Sequence, residues 1–292
     1  MKSLLRKTFQ AFGITLLILG SIYVMFGCSA SHRSYEIEVV SSVNNIKPNQ
    51  QVEIVYKIKD NQGNIVKDFE VMNEKIMHFI IIRKDLQYFQ HIHPEFDKTT
   101  GEFSIAVTFA ADGEYRMFAD FMPSTSRMEM ESDSERLPVT VYKDVNVGNL
   151  ENYKLKPLGS TDHTKTFNGY TITIIPSSEP LLSQKDFGFT FEIKKDGKLV
   201  TNLEKYLGAL GHTVVIREGD LQFIHAHPTQ NPDAQQIGKV TFMITFPKAG
   251  NYKLFSQFQH EGKIITSDFL VNVSKGMKNY PDSMMMDEGM KQ

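Results

Sequence analysis

His78 to Pro94 reads HFIIIRKDLQYFQHIHP, and His212 to Pro228 reads HTVVIREGDLQFIHAHP. In both stretches a histidine is followed thirteen residues later by a second histidine, then two residues later by a third, and a proline closes the pattern. Six of the nine histidines of the chain lie in these two copies. An internal repeat of this kind indicates a chain that folds as two similar units.

The repeated stretch has the pattern of a β-hairpin, because β-branched and aromatic runs flank a short polar segment. A two-residue turn at Lys84-Asp85 would place His78 opposite His91, and the same turn in the second copy would place His212 opposite His225. Directly opposed residues share a face of the sheet, and so does a residue two positions further on. Each hairpin therefore predicts three imidazoles on one face: His78, His91 and His93 in the first copy, and His212, His225 and His227 in the second.

Alternating apolar and polar residues predict further strands around each hairpin. The predicted strands are 35–40, 51–58, 103–109, 114–121 and 137–142 around the first copy, and 170–175, 187–193, 240–246, 250–258 and 267–273 around the second. Short strands in about this number are typical of an immunoglobulin-like sandwich. The predicted fold is all-β, with two tandem immunoglobulin-like sandwich domains at 35–143 and 166–274, joined by a linker at 144–165.

The two termini differ in composition from the predicted domains. Residues 1–27 combine a basic start with an apolar run, which is the pattern of a signal peptide, and Cys28 follows where a bacterial lipoprotein signal is cut. We predict lipidation of Cys28, a tether at 28–34 and a protein anchored on the outer face of the cytoplasmic membrane. An uncleaved membrane anchor is the alternative. The Met-rich segment 275–292 is predicted to be a disordered tail.

Composition excludes several classes of function. The formal charge of −2 and the lack of a basic stripe argue against a nucleic-acid partner. Cys28 is the only cysteine, so its lipidation would leave no thiol for a disulfide or for catalysis. The sequence has no nucleophile elbow, phosphate-binding loop or dinucleotide fingerprint, and we predict no enzyme. A metal-dependent hydrolase using Glu95 and Asp97 beside His93 is a minor alternative.

Three imidazoles on one face suit a transition-metal ion. Copper is favoured and zinc is second, because Cu²⁺ binds such sites most tightly among the divalent first-row ions. Asp120 and Met122 are candidate further ligands in the first unit, and His260 is a candidate in the second. The alternative is a non-catalytic adhesion or scaffold module, in which the histidines are structural and an extracytoplasmic protein is the partner.

The HxHP segments and the Gly-x-Tyr strands that follow them carry a resemblance. With Gly113-Glu114-Tyr115 and Gly250-Asn251-Tyr252, the chain resembles secreted bacterial β-sandwich proteins that include YtkA-like domains and proteins of copper handling. The resemblance covers both units, and it implies a cupredoxin-like or copper-resistance-like sandwich that binds or delivers copper. Both units lack the cysteine ligand of a blue-copper site, so electron transfer of that type is not expected.

Overall fold

The structure is a computed structural model, and it describes residues 34–124, 138–226, 228–229 and 237–276. Within these residues the fold is all-β, with four antiparallel sheets that form two immunoglobulin-like sandwiches. The predicted signal peptide, the lipidation site Cys28, the third histidine of the second copy, His227, and nearly all of the predicted tail lie outside the described residues.

The first sandwich is made of two antiparallel sheets. Its strands are β1 (Tyr35–Val39), β2 (Gln51–Asp60), β3 (Phe69–Glu70), β4 (His78–Arg83), β5 (Phe89–Ile92), β6 (Glu95–Asp97), β7 (Glu102–Thr108), β8 (Gly113–Pro123) and β9 (Val139–Val147). One sheet has the order β1-β2-β7-β6, and the other has the order β3-β8-β4-β5, with β9 also paired to β8. The histidine hairpin is β4-β5, so it lies beside β8 at one side of the second sheet.

The second sandwich repeats this arrangement. Its strands are β10 (Thr164–Phe167), β11 (Tyr170–Pro176), β12 (Asp186–Lys195), β13 (Lys198–Leu199), β14 (His212–Arg217), β15 (Phe223–Ala226), β16 (Lys239–Thr245), β17 (Gly250–His260) and β18 (Lys263–Val273). One sheet has the order β10-β11-β12-β13, with β16 also paired to β12, and the other has the order β15-β14-β17-β18. The second histidine hairpin, β14-β15, thus has β17 as its neighbour in place of β8.

Each sandwich is filled by side chains that point inward at every second position, as the pleat of a strand requires. In the first sandwich, Tyr56 stacks on Phe79 and on Phe103, with ring centroids 4.9 and 5.4 Å apart. In the second, Phe191 of β12 contacts Phe258 of β17 with a centroid distance of 5.4 Å. All five rings are fully buried, so each sandwich has an aromatic core of its own.

The hairpin register differs by two residues from the one predicted. Ile80, and not His78, lies opposite His91, and in the second copy Val214 lies opposite His225. The reason is a loop of four residues: Arg83 donates its backbone N–H to Tyr88 across residues 84–87. A shift of two positions preserves the face of every side chain, so His78 and His91 still share a face, as do His212 and His225.

The outward faces of the two histidine-bearing sheets pack on each other. Both sandwiches belong to one compact unit, and side chains that alternate with the core residues form a separate apolar cluster between them. Its buried members are Ile80, Ile82, Leu86, Phe118, Val214, Ile216, Leu221 and Phe255. Phe89 and Phe255 stack across this interface with ring centroids 4.6 Å apart and planes within 3° of parallel. The hairpins are therefore buried between the sandwiches.

The connection between the sandwiches is shorter than the predicted linker, because strand β9 continues to Val147 and β10 begins at Thr164. A 3-10 helix at Leu150–Asn152 lies in the connection, and the Arg83 guanidinium lies 5.8 Å from the centre of the Tyr153 ring. This contact holds the start of the connection against the first hairpin. Among the residues described, no helix is long and apolar enough to cross a membrane.

Replacing Phe255 by alanine tests the interface. Phe255 is 4% exposed, and removal of a buried Phe side chain costs about 3–5 kcal/mol. We expect the metal-free Phe255→Ala chain to lose about this much free energy of unfolding and to unfold in two separate steps in urea. Ile264→Ala, a change on the exposed part of β18, is the matched control and should leave the unfolding curve unchanged. A single unshifted transition in Phe255→Ala would contradict the interface.

Candidate metal centre

Five histidines from the two sandwiches lie together at the end of the apolar interface. They are His78, His91 and His93, which we call the first-copy triad, and His212 and His225, which we call the second-copy pair. The ring centroids of the triad are 4.9–5.2 Å apart. Across the interface, His78 lies 5.7 Å from His225 and 6.3 Å from His212. The sandwich interface therefore brings both copies of the repeat to one place.

The ring of His78 is oriented by a tight turn that precedes its strand. Its Nε2 donates a hydrogen bond of 2.9 Å to the carbonyl of Met72. Asn73 and Glu74 both have positive φ, of 49° and 65°, which turns that carbonyl back toward the strand. Because Nε2 carries the proton of the neutral ring, Nδ1 carries the lone pair and faces the other histidines.

His91 is oriented by the other sandwich. Its Nδ1 lies 2.9 Å from Oε1 of Gln257 on β17, and the Nε2 amide of Gln257 donates to Thr266 at 3.2 Å. The glutamine oxygen can only accept, so Nδ1 of His91 carries the proton and Nε2 carries the lone pair. The first-copy triad therefore takes one of its orienting hydrogen bonds from the second sandwich.

Ring nitrogens of the first-copy triad face one another. Nδ1 of His78 lies 2.9 Å from Nε2 of His91 and 3.3 Å from Nε2 of His93. The three ligand atoms all lie within 4.8 Å of one another. Two nitrogens bound to one tetrahedral ion at about 2.0–2.1 Å would be roughly 3.3 Å apart. The triad can hold a metal ion with little movement of its rings.

Burial keeps these imidazoles neutral. Desolvation lowers the pKa of His78, and it lowers the pKa of His91 well below the ordinary value. The pKa of His93 is lowered to about 3, mainly by desolvation and in second place by the nearby His78. A neutral imidazole is the form that binds a metal ion. His78 and His91 are buried whereas His93 is only half-buried, so His93 is the member of the triad that solvent reaches.

The second-copy pair repeats this arrangement. Nε2 of His212 donates to the carbonyl of Tyr206 at 2.8 Å, as His78 does to Met72. Nδ1 of His225 donates to Oδ2 of Asp120 on β8 at 2.7 Å, so this histidine too is oriented by the opposite sandwich. Desolvation lowers the pKa of His212 to about 4. The two copies thus exchange orienting side chains, Gln257 in one direction and Asp120 in the other.

The remaining sequence candidates have varied locations. Asp120 lies beside the cluster, and its two oxygens accept hydrogen bonds from His225 and Thr140. Met122 lies further along β8, opposite Glu70. His260 is buried elsewhere, and its two ring nitrogens lie 2.8 Å from the Tyr170 hydroxyl and 3.0 Å from Oδ1 of Asn202.

The carboxylates of the hydrolase alternative lie away from this face. Glu95 and Asp97 are exposed on β6, which belongs to the opposite sheet of the first sandwich.

Sequence reasoning missed the groups that orient the rings. Gln257 was not predicted to orient a ring, and the carbonyls of Met72 and Tyr206 have no signature in side-chain type. One signal was available. Asn73 readily adopts positive φ, and Gly208, which matches Glu74, takes positive φ in the second copy. A tight turn before each hairpin could have been inferred from these two residues.

The ring orientations predict the tautomers of the metal-free protein. We expect neutral His78 and His212 with the proton on Nε2, neutral His91 with the proton on Nδ1, and a proton on Nδ1 of His225, at pH 7. Long-range proton–nitrogen correlation spectra of the imidazoles distinguish these forms, and half-exposed His163 is the internal control. The tautomer assignment would be contradicted by a proton on Nε2 of His91 or by a charged imidazolium in the triad.

Solved structures that resemble this chain are distant. The three N-terminal domains of the bacteriophage RB49 highly immunogenic outer capsid protein (Hoc) are 10% identical over 84% of this chain and 71% of that one, with a TM-score of 0.22. Titin A168169 is 9% identical over 83% of this chain and 98% of that one, with a TM-score of 0.21. Domains 5–6 of the S-layer protein SbsC are 13% identical over 84% and 100%, with a TM-score of 0.22. Scores this low carry no argument about function.

Sequence comparison gives a clearer result for the family than for any single relative. No curated protein matches the chain. Residues 31–153 and 165–275 each match one family, so the match covers both sandwiches. The chain belongs to the family described as "Domain of unknown function (DUF8832)".

Proposed function

We propose that this protein binds a transition-metal ion, copper first and zinc second, and acts in metal handling or resistance outside the cytoplasm. One observation carries the proposal: three neutral imidazoles of the first-copy triad direct ring nitrogens into one small space. The resemblance of both HxHP segments to copper-handling sandwiches supports the same proposal. We propose binding without catalysis.

A hydrogen bond does not account for the closest contact of the triad. Neutral His78 donates its one N–H to the carbonyl of Met72, and neutral His91 donates its one N–H to Oε1 of Gln257. Their facing nitrogens, 2.9 Å apart, would then be two acceptors with no donor between them. A metal ion between the rings removes this repulsion, because it accepts both lone pairs. The outer hydrogen bonds are those that metal-binding histidines make to fix their tautomer.

The ligand type favours copper over zinc. All three ligand atoms are imidazole nitrogens, and such sites bind Cu²⁺ more tightly than Zn²⁺ when both ions are present at equal activity. Zinc accepts the same ligands at about 2.0–2.1 Å, so it remains the second choice. A purely imidazole site without thiolate also separates this centre from blue-copper electron-transfer sites.

The metal-binding proposal is tested by isothermal titration of the full chain with Cu(II) and Zn(II). We expect the His91→Ala, His93→Ala double variant to lose binding at the triad, because a single imidazole remains there. The wild-type chain should also gain about 2.7 kcal/mol of stability at a hundredfold excess of ion over Kd. Cu(I) is titrated under a competing chelator, with the tail methionines Met284, Met285, Met286 and Met290 replaced by leucine, since thioethers also bind Cu(I).

His163→Ala is the control for this titration, because His163 is half-exposed in the connection between the sandwiches. It should bind as the wild type does. If the double variant binds as well as the His163→Ala chain, the triad is not the metal site. A wild-type chain that binds no ion and gains no stability would instead favour histidines that serve only the interface between the sandwiches.

We also propose that the protein is anchored by a lipid on Cys28 at the outer face of the cytoplasmic membrane. The basic start, the apolar run and the position of Cys28 support this placement. Metabolic labelling with an alkyne fatty acid should mark the wild-type chain and leave the Cys28→Ser chain unlabelled. Label retained in Cys28→Ser would exclude lipidation at this residue. Cells expressing His163→Ala provide a chain with the anchor intact for comparison.

A further inference from the structure

Gln257 is a buried residue of the second sandwich that contacts the first-copy triad from outside. It lies on β17 opposite Thr266 of β18 and is 7% exposed. Its Oε1 accepts the Nδ1 proton of His91 at 2.9 Å, and its amide Nε2 donates to Oγ1 of Thr266 at 3.2 Å. Because His91 is also buried, its Nδ1–H depends on this protein acceptor rather than on water. Gln257 therefore determines which nitrogen of His91 carries the proton.

The other tautomer of His91 would close the triad to an ion. With its proton on Nε2, His91 would donate to Nδ1 of His78, which lies 2.9 Å away and carries a lone pair. That hydrogen bond would occupy two of the nitrogens that an ion needs, because a metal ion binds the unprotonated nitrogen of an imidazole. By holding the proton on Nδ1 of His91, Gln257 keeps this internal hydrogen bond from forming.

We propose that Gln257 is a positioning residue for the ion of the first-copy triad, so that the first sandwich binds this ion at full affinity only when the second sandwich is docked on it. The inference rests on the proposed function, because it concerns the same three ligands. Outer hydrogen-bond partners of metal-binding histidines typically change metal affinity by about 10–100-fold when they are removed. An effect of this size makes docking of the sandwiches a determinant of metal binding.

The apolar interface sets the contact between Gln257 and His91. Phe89 of β5 stacks on Phe255 of β17 across the interface, and His91 and Gln257 follow two positions further along the same two strands. Residues two positions apart on a strand share a face, so the stacked rings and the hydrogen bond are consecutive contacts of one docked surface. By linkage, the free energy that docking adds to ion binding equals the free energy that the ion adds to docking.

The matching position of the first sandwich is used in the same way. Asp120 lies opposite His78 in the pairing of β4 with β8, and Gln257 lies opposite His212 in the pairing of β14 with β17. Each side chain reaches across the interface: Asp120 accepts from Nδ1 of His225 at 2.7 Å, as Gln257 does in the other direction. Asp120 is buried, so a carboxylate is compatible with this environment. Gln257→Glu is therefore the conservative variant, because it keeps an acceptor at the same place.

Titration of the full chain with Cu(II) against a competing fluorescent chelator tests the inference. We expect Gln257→Leu, which has no acceptor, to bind Cu(II) about 10–100-fold more weakly than the wild type. Gln257→Glu, whose carboxylate accepts from Nδ1 of His91, should bind at least as tightly as the wild type. Gln87→Leu is the matched control, because the Gln87 amide donates to the carbonyl of Pro157 at 3.1 Å in the loop of the first hairpin. Its affinity for Cu(II) should equal that of the wild type.

The tautomer of His91 gives a readout that a loss of packing alone would not change. In the metal-free Gln257→Leu chain we expect the proton to move to Nε2 of His91, where Nδ1 of His78 accepts it at the observed separation of 2.9 Å. In Gln257→Glu and in the Gln87→Leu control the proton should stay on Nδ1. Long-range proton–nitrogen correlation spectra of the imidazoles measure the tautomer in each variant.

The outcomes separate the inference from the proposed function. Weaker binding in Gln257→Leu, wild-type binding in Gln257→Glu and a shifted tautomer only in the former support the positioning role. Equal losses of affinity in both variants with an unchanged tautomer would show a packing role and overturn the inference, as would wild-type affinity in Gln257→Leu. Neither result affects the triad as the metal site. A wild-type chain that binds no Cu(II) contradicts the proposed function itself, and the inference with it.

Discussion

A neutral imidazole has one N–H to donate, and the arrangement of the histidine cluster depends on the acceptor to which each ring donates it. His78 and His212 donate to carbonyls of the turns that precede their strands. His91 and His225 donate to side chains of the opposite sandwich. Every committed proton points away from the centre of the cluster. The lone pairs must then point inward, and this direction gives the cluster its chemistry.

Because successive side chains of a strand point to opposite faces, one sheet can contact both its own core and the other sandwich. In β4, Phe79 and Ile81 join the core of the first sandwich, whereas His78, Ile80 and Ile82 face the second sandwich. The apolar cluster and the histidines therefore lie on the same face, one continuing the other. Packing of the apolar side chains brings Gln257 to His91. Assembly of the histidine cluster and docking of the sandwiches are for this reason parts of one event.

Alternation and turn chemistry were sufficient to predict the all-β fold and most of the strands. The face of each histidine was also predictable, because the two-residue error in register returns every side chain to the same side. The loop length behind that error is decided by turn contacts such as those of Asp85, which accepts from Arg83 and Gln87. The partner of His91 was not predictable, since it comes from a contact between sandwiches that no local pattern describes.

The sequence already contained the information that separates His260 from the histidine cluster. Gln257 faces the interface, and His260 follows it by three positions, an odd number, so it faces the core of its own sandwich. There it contacts Tyr170 and Asn202. Spacing along one strand was therefore enough to separate His260 from the cluster, although residue type alone had made His260 a candidate ligand. For the members of the first hairpin the same rule keeps His91 and His93 together.

The energetics of the interface favour a functional interpretation of its histidines. Within the same interface, Ile80, Val214 and Phe255 show that these sheets can dock through apolar contacts without polar groups to satisfy. Facing lone pairs at 2.9 Å, and a buried Nδ1 of His212 with no partner among the residues described, make the histidine end less stable than an apolar equivalent. Proteins keep such local costs where a ligand or a reaction requires them. Under the proposed function, a bound metal ion would convert this cost into binding energy, because each inward lone pair would become a ligand.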